Sequence, residues 1–156
     1  MPYLRGVEIE LYSDEYFMKE ALKEASKALA MDEVPVGAVV VCRNRIIGRG
    51  HNLTETLHDV TAHAEMQAIT AASDFLGAKY LNECTLYVSL EPCTMCAGAM
   101  YWAQFQRLVF AASDPKRGYQ VHEKLLLHPR TSVETGLLGA EAGKMMTDFF
   151  AARRNS

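Results

Sequence analysis

Two short segments constrain this chain more than any other feature. They are His63–Glu65, which reads His-Ala-Glu, and Pro92–Cys96, which reads Pro-Cys-Thr-Met-Cys. Together they supply an imidazole, two thiols and a carboxylate, and the first three are ligands that zinc prefers. Structural zinc normally has four protein ligands, whereas three ligands beside an acid are typical of catalytic sites, where the metal activates a water molecule. The pattern therefore predicts a hydrolase with a catalytic metal, and the fold must bring both segments together.

The spacing of the side chains suggests a role for each. Cys93 and Cys96 are three residues apart, so both thiolates can bind one ion from the first turn of a helix. His63, on another helix, completes the ligand set. Glu65 is too close to His63 in sequence to need to bind the metal, but its carboxylate can reach the same water. We therefore predict His63, Cys93 and Cys96 as metal ligands and Glu65 as the catalytic proton shuttle.

Other interpretations of these segments stay open. A Cys-x-x-Cys pair alone is also found at thioredoxin-like redox sites, although that chemistry needs neither His63 nor Glu65. A structural zinc site is a second alternative, but its fourth ligand is not obvious, because the other histidines fall in predicted loops without fixed spacing to the cysteines. Glu65 also has a plausible simpler role, which is to favour the dipole at the start of a helix.

The length and composition predict one domain over residues 1–156. The chain is 49% hydrophobic and 22% charged, which suits one ordinary core. Its apolar runs are too short to span a membrane, and Met1–Arg5 leads into an acidic stretch without the apolar block of a signal peptide. We therefore expect a cytoplasmic protein with no membrane partner. Because that compartment keeps thiols reduced, we expect Cys42 and Cys84 to be small apolar residues of strands.

The charge is distributed unevenly along the chain. The net charge is −3, yet Pro115–Ser156 holds seven Lys or Arg and four Asp or Glu, whereas Met1–Asp114 holds nine and fifteen. A polyanionic partner would have to dock on a local basic patch, and a solvated basic C-terminus accounts for the same charge pattern. The residues of that patch are Lys116, Arg117, Arg130, Arg153 and Arg154.

Hydrophobic periodicity predicts four helices and five strands. The helices are Asp14–Met31 after a Ser13 cap, a helix capped by Thr61 and ending near Leu76, Cys93–Ala103, and Ala140–Arg153 with Met145, Met146, Phe149 and Phe150 facing inward. The strands are Val36–Val41, Ile46–Ile47, Thr85–Ser89, Leu108–Ala111 and Ser132–Glu134. Strands that alternate with helices after a hairpin imply a three-layer α/β/α domain with a mixed, roughly five-stranded sheet. Both metal-binding segments lie at predicted helix N-termini, which favour thiolate.

Longer matches point to a family. His-x-Glu with Pro-Cys-x-x-Cys is an established signature of zinc-dependent nucleobase deaminases. Along nearly its whole length the chain resembles the bacterial tRNA adenosine deaminases of the cytidine/deoxycytidylate deaminase superfamily. The matching segments are Glu33–Val39, His51–Asn52, Thr61–Glu65, Leu86–Val88, Leu90–Met100, Asp114–Gly118 and Asp148–Arg154. The last two segments point within the superfamily to the tRNA enzymes.

This resemblance implies a cytidine-deaminase-like fold, one Zn²⁺ per subunit and a homodimer that deaminates the wobble adenosine of a tRNA anticodon stem-loop to inosine. By position, Asn52 would hydrogen-bond the purine, Val36 would pack on the flipped base, and the backbone amides near Ala64 and Cys93 would face the base and the attacked carbon. The resemblance places the remaining RNA contacts in a loop and in the C-terminal helix. They are Asp114 and Lys116 in the loop, and Phe150, Arg153 and Arg154 in the helix.

The sequence is also compatible with two other functions. The same metal core serves guanine or cytosine deaminases that act on a free base or nucleoside, and Tyr101–Ala103 is also similar to guanine deaminases. A noncatalytic RNA-binding or zinc-stabilised scaffold protein is the other alternative. The basic C-terminal helix favours an RNA substrate, because a small-molecule enzyme has no use for Arg153 and Arg154.

Overall fold

The computed structural model describes residues 12–154, in which five strands form one mixed sheet between two layers of helices. The strands are β1 Gly37–Cys42, β2 Arg45–His51, β3 Cys84–Leu90, β4 Arg107–Ala112 and β5 Ser132–Thr135. The helices are α1 Asp14–Ala30, α2 Ala64–Leu76, α3 Thr94–Ala103 and α4 Gly139–Arg154, with a 3-10 turn at Tyr119–Val121. Each helix and strand predicted from the sequence is present, and the predicted α/β class with a mixed sheet is confirmed.

The order of the strands places several loops at one edge of the sheet. The order is β2-β1-β3-β4-β5, in which β1 is antiparallel to β2 and β3, whereas β3, β4 and β5 are mutually parallel. The ends of β2, β3 and β4 therefore lie beside the start of β1. We call this side of the sheet the upper edge and the opposite side the lower edge. In sheets of this kind, ligands usually bind where parallel strands end.

The two faces of the sheet carry separate apolar clusters. Residues that alternate along a strand point to opposite faces, so Val40 packs with α2 and α3, whereas Val39 packs with α1 and α4. Phe110 in β4 belongs to the first cluster and its neighbour Val109 to the second. The helices that carry the metal-binding segments therefore share one face of the sheet, and the basic C-terminal helix covers the other.

Two glycines of β2 allow α2 to lie directly on the strand. A Cβ atom at Gly48 would lie 2.3 Å from the carbonyl oxygen of Ala68, and one at Gly50 would lie 2.3 Å from the carbonyl oxygen of Ala64. Any side chain at either position would force the helix away from the sheet. The two glycines therefore fix where α2 starts, next to the end of β2 at the upper edge.

Two local predictions are wrong. Thr61 does not cap α2, because its hydroxyl donates to Asp59 at 2.7 Å and the N-cap position belongs to His63. In α4, Phe149 is buried but Phe150 is 42% exposed. Consecutive helical residues are about 100° apart, and the face of α4 that buries Phe149 leaves Phe150 turned toward solvent. The other two residues predicted to face inward, Met145 and Met146, are half-buried.

The structure bears on only one of the two expectations about a signal peptide and a membrane span. Met1–Arg5, on which the expectation of no signal peptide depends, lies outside the described residues. Over residues 12–154, no helix combines the length and the hydropathy that crossing a bilayer requires.

Ser13 caps α1 as predicted, since its hydroxyl oxygen accepts the N–H of Tyr16 at 3.1 Å.

Candidate metal centre and active site

Two helices of the same layer start at the upper edge, and the residue that precedes each helix carries a metal-ligand side chain. His63 is the N-cap residue of α2, and Cys93 is the N-cap residue of α3. The His63 side chain makes no capping hydrogen bond to its helix. The Cys93 sulfur lies close enough to the backbone N–H of Cys96 to accept a hydrogen bond, and the helix dipoles favour negative charge between the two helix starts.

The structure brings together the three residues predicted as metal ligands. Nδ1 of His63 lies 3.6 Å from Sγ of Cys93 and 3.6 Å from Sγ of Cys96. The three donor atoms all lie within 4.8 Å of one another. In a tetrahedral zinc site with ordinary bond lengths, a nitrogen and a sulfur ligand are separated by about 3.6 Å. The donor types and their spacing therefore fit a zinc ion.

The two thiols differ in protonation. A hydrogen bond from Cys96, helped by the neighbouring His63, lowers the pKa of Cys93 to about 4. The same hydrogen bond, together with burial, raises the pKa of Cys96, and a hydrogen bond to Cys93 raises the pKa of His63. One sulfur thus carries a negative charge and the other keeps a proton. A divalent cation replaces such a proton when it binds, since thiol ligands coordinate as thiolates.

Glu65 lies in the first turn of α2 and is 4% exposed. Burial raises the pKa of its carboxyl to about 7, and the carboxyl lies close enough to Cys96 to share a hydrogen bond. A carboxyl group that titrates near neutrality can both accept and donate a proton at physiological pH. Glu65 therefore has the burial, the position and the proton affinity of a general acid and base.

Asn52 and Val36 lie side by side at the upper edge, as the backbone N–H of Asn52 donates to the carbonyl of Val36 at 3.1 Å. The side-chain oxygen of Asn52 accepts the N–H of Thr54 at 3.1 Å, and its amide nitrogen donates to the carbonyl of Val34 at 3.4 Å. Both ends of this amide thus hold the loop, and each has capacity for one more hydrogen bond. Ala64 is fully buried at the start of α2.

Asp114 and Lys116 lie in the loop that follows β4. The carboxylate of Asp114 accepts the N–H groups of Lys116 at 3.1 Å and Arg117 at 3.0 Å, and the Lys116 side chain is exposed. Further along, the N–H of Tyr119 donates to the carbonyl of Pro92 at 2.9 Å. The loop therefore lies against the segment that supplies two of the three metal-ligand side chains.

The structure does not bring the C-terminal helix into the metal cluster. Arg153 donates to the carbonyl of Asp32 at 2.7 Å, forms an ion pair with its carboxylate at 3.3 Å, and stacks over Phe149 at 4.7 Å. Phe150 and Arg154 are exposed. Since Asp32 precedes β1, the end of α4 lies near the start of that strand, at the upper edge.

The predicted basic patch is not one surface. Lys116 and Arg117 follow β4 at the upper edge. Arg130 lies at the lower edge, because the hydroxyl of the next residue, Thr131, donates to the carbonyl of Phe105 just before β4 begins, at 2.6 Å. Spacing along the chain did not reveal this separation, which follows from the parallel pairing of β4 and β5.

Sequence reasoning also missed two buried carboxylates beside the site. Glu33 is 0% exposed and accepts the N–H groups of Glu55 and Thr56, while Glu91 is 5% exposed and accepts N–H groups of the loop after β4. One signal in the sequence could have identified them. Glu33 lies shortly before the buried strand β1, and Glu91 lies between the buried strand β3 and the Pro-Cys motif, where an acidic residue needs a partner.

The sheet order, the paired helix starts and the imidazole–thiol cluster beside a buried carboxyl together define a metalloenzyme of the zinc-dependent deaminase class. The family model for the cytidine and deoxycytidylate deaminase zinc-binding region matches residues 11–112. The chain belongs to this family.

Two relatives that are named for their activity match over most of the chain. The tRNA-specific adenosine deaminase of Bacillus subtilis is 45% identical, over 91% of this chain and 96% of the relative. The enzyme of the same name from Streptococcus pyogenes serotype M18 is 42% identical, over 99% and 96% of the two chains.

Solved structures show the same fold. A chain from structural studies of A-to-I editing by tRNA:A34 deaminases at the wobble position is 42% identical and has a TM-score of 0.77, covering 83% of this chain and 98% of that one. A guanine deaminase from Nitrosomonas europaea is 27% identical with a TM-score of 0.77, covering 89% and 85%. The enzyme class and the fold predicted from the sequence are thereby confirmed.

Proposed function

We propose that this protein deaminates the wobble adenosine of a tRNA anticodon stem-loop to inosine by hydrolysis. The observation that carries the proposal is the cluster of His63, Cys93 and Cys96, with donor atoms within 4.8 Å of one another, beside a buried Glu65. The similarity to tRNA-specific adenosine deaminases over nearly the whole chain supports the choice of substrate. One Zn²⁺ per subunit, held by these three ligands, would supply the Lewis acidity that activates a water molecule.

Glu65 carries the proton transfers of the proposed reaction. With a pKa raised to about 7, its carboxylate accepts a proton as water attacks the ring carbon that bears the amino group. The resulting acid protonates a ring nitrogen, and the regenerated carboxylate then takes the proton of the hydroxyl group formed on the attacked carbon and delivers it to the leaving amine. Adenosine and water thus become inosine and ammonia. Backbone amides at the starts of α2 and α3, near Ala64 and Cys93, face the base and the attacked carbon.

The proposed substrate contacts lie around the metal centre at the upper edge. Asn52 fixes the purine by a hydrogen bond, and Val36 packs on the flipped base. Asp114 and Lys116 hold the nucleotides that flank the target. Phe150, Arg153 and Arg154 at the end of α4 contact the anticodon loop. The hydrogen bond from Arg153 to Asp32, near the start of β1, supports this position at the upper edge.

A substrate panel tests the proposal. Purified protein is incubated with an anticodon stem-loop bearing wobble adenosine, with the same stem-loop bearing wobble guanosine, and with free adenosine, guanine and cytosine. Inosine in the first RNA alone is the expected result, and the Glu65→Ala variant serves as the inactive control. Product from none of these substrates, or from a free base alone, contradicts the proposal.

Guanine deamination is the second candidate. It is favoured by the similarity to guanine deaminases of known structure, one of them 44% identical over 65% of this chain. The two candidates separate at the C-terminal helix. Replacing Arg154 with alanine weakens the reaction with the stem-loop if RNA is the substrate, but leaves turnover of guanine unchanged if the free base is the substrate.

We also propose that residues 1–156 form one deaminase domain that works as a cytoplasmic homodimer. Two large aromatic side chains of α3 support the dimer, as Trp102 is 75% exposed and Tyr101 is 41% exposed. Their rings pack edge to face with centroids 5.5 Å apart, so together they form an apolar surface on a helix that starts at the metal cluster. Light scattering of the wild type and of Trp102→Glu tests this proposal, with a monomeric variant as the expected result.

A further inference from the structure

A buried carboxylate connects the metal-binding segment to the loop after β4. Glu91 directly follows β3 and is one residue from Pro92, which precedes the first cysteine of the motif. One carboxylate oxygen accepts the N–H of Asp114 at 3.0 Å, and the other accepts the N–H of Gln120 at 2.9 Å. The two donors lie six positions apart, near opposite ends of the loop. Glu91 therefore closes the loop from inside, and we call this arrangement the Glu91 clamp.

The loop leaves no spare room around the Glu91 clamp. A Cβ atom at Gly118 would lie 2.2 Å from the carboxyl carbon of Glu91. Gly118 also forms an isolated bridge with Cys93, and the backbone N–H of Glu91 itself donates to Ala112 at 2.8 Å. The backbone and the carboxylate of Glu91 are thus both held, and the two hydrogen bonds to the carboxylate are charge-assisted and part-buried.

Glu33 is built in the same way at the other loop of the upper edge. Its fully buried carboxylate accepts the N–H of Glu55 at 3.1 Å and the N–H of Thr56 at 2.7 Å. Those amides belong to the loop that begins at Asn52. Each of the two loops beside the metal centre therefore donates two backbone N–H groups to one buried carboxylate.

We propose that Glu91 and Glu33 are positioning residues that hold these two loops in the conformation that receives the RNA. The proposal rests on the proposed function and deepens it, because it divides recognition between two independently held loops. The Glu91 clamp serves the flanking nucleotides through Asp114 and Lys116. Glu33 serves the target base through Asn52. Neither carboxylate touches the reacting atoms.

Kinetics with the wobble-adenosine stem-loop test this division. In Glu91→Gln the new amide can accept only one of the two N–H groups, so we expect KM to rise about tenfold while kcat stays within about threefold of the wild type. In Glu33→Gln the base itself is held less well, so we expect kcat to fall about tenfold. Both variants should keep a full zinc content. Glu123→Gln, an equal charge change at an exposed residue further along the same segment, is the control and should match the wild type.

Hydrogen exchange without RNA tests the Glu91 clamp apart from the reaction. In Glu91→Gln at least one of the amides of Asp114 and Gln120 should exchange faster, because it loses its acceptor, and in Glu33→Gln these two amides should not change. The amides of Glu55 and Thr56 should show the reverse. Unchanged exchange refutes the hydrogen bonds themselves. Faster exchange with an unchanged KM refutes the positioning role, and parallel losses of zinc and kcat in both variants would show a purely structural role. If the wild type is inactive on every stem-loop, the proposed function fails and so does the positioning role, whereas the exchange result still decides whether the Glu91 clamp exists.

Discussion

The chain contains two pairs of cysteines at opposite edges of one sheet, and one member of each pair, Cys93 and Cys84, shows how differently the two environments act on a thiol. Cys93 and Cys96 lie at the upper edge beside a histidine, where hydrogen bonding from Cys96 lowers the pKa of Cys93 to about 4. Cys42 and Cys84 face each other across β1 and β3 at the lower edge, where burial raises the pKa of Cys84 to about 12. Cys93 at the upper edge therefore favours the thiolate, whereas Cys84 at the lower edge favours the thiol.

The difference comes from what surrounds each sulfur. At the upper edge, each sulfur has the His63 ring at 3.6 Å, and two helix N-termini favour negative charge. At the lower edge, Cys84 is 1% exposed within the apolar cluster, next to a second sulfur that would repel any charge placed on it. Donor groups and helix ends make a thiol into a ligand, whereas burial between strands makes it a packing residue.

The largest expected effect is at the upper edge. Replacing Cys93 with serine removes one of three ligands, so we expect nearly complete loss of zinc and of deaminase activity. Cys84→Ser is the matched substitution at the lower edge and should keep both. Metal analysis of the two purified variants checks this prediction, and a full zinc content in Cys93→Ser would show that this sulfur is not a ligand.

The next effect separates the ligands from their acidic neighbour. Glu65→Ala should keep zinc, because the carboxyl is not needed as a ligand, but lower kcat by about a hundredfold to ten-thousandfold through loss of the proton shuttle. Zinc content and single-turnover rates on the wobble-adenosine stem-loop measure the two properties separately. Full activity of the variant refutes the assignment of Glu65, and loss of zinc would make Glu65 part of the metal site instead.

Alkylation compares the two pairs within one molecule. After zinc is removed with a chelator, iodoacetamide at pH 7.5 should modify Cys93 at least about a hundredfold faster than Cys84, because only the thiolate reacts and Cys84 stays protonated. Peptide mass spectrometry over a time course gives both rates. Added zinc should protect Cys93 without changing the slow rate at Cys84, and equal rates in the zinc-free protein would remove the contrast between the two edges.

The smallest expected effect is on folding. Cys84→Ser places a hydroxyl in an apolar cluster, so we expect the free energy of unfolding to fall by about 1–3 kcal/mol. The half-buried Cys42 should tolerate the same change at a smaller cost, which makes Cys42→Ser the control. Urea denaturation of the zinc-loaded proteins measures both. A larger loss in Cys42→Ser than in Cys84→Ser would contradict the packing role of Cys84.

The sequence predicted those features that depend on local pattern. Strands and helices follow from apolar periodicity, and the metal cluster follows from residue types that few other sites require in that combination. His63 and Cys93 were expected near helix starts. That both are the N-cap residues themselves was not predicted, because Thr61 has the composition of a cap but bonds to Asp59 instead.

The features that the sequence did not predict depend on tertiary contacts. Arg130 was grouped with other basic residues, although strand pairing places it at the lower edge. Glu33 and Glu91 were not singled out, because their partners are backbone amides more than twenty residues away. Backbone donors leave no trace in side-chain composition, so only the folded chain shows which amides a buried acid will find.

The missing side chains at Gly48 and Gly50 have a consequence for how this chain tolerates mutation. Because α2 rests on the hairpin backbone at these two positions, a methyl group at Gly50 would displace Ala64, the residue next to His63, and one at Gly48 would displace Ala68 one turn further along the helix. Alanine variants should therefore show a lower affinity for zinc as their first defect, and an excess of the ion should restore their function. In a library of random variants, those whose activity returns when zinc is added should include substitutions in the β1–β2 hairpin. The hairpin would then count as a distant support of the metal site.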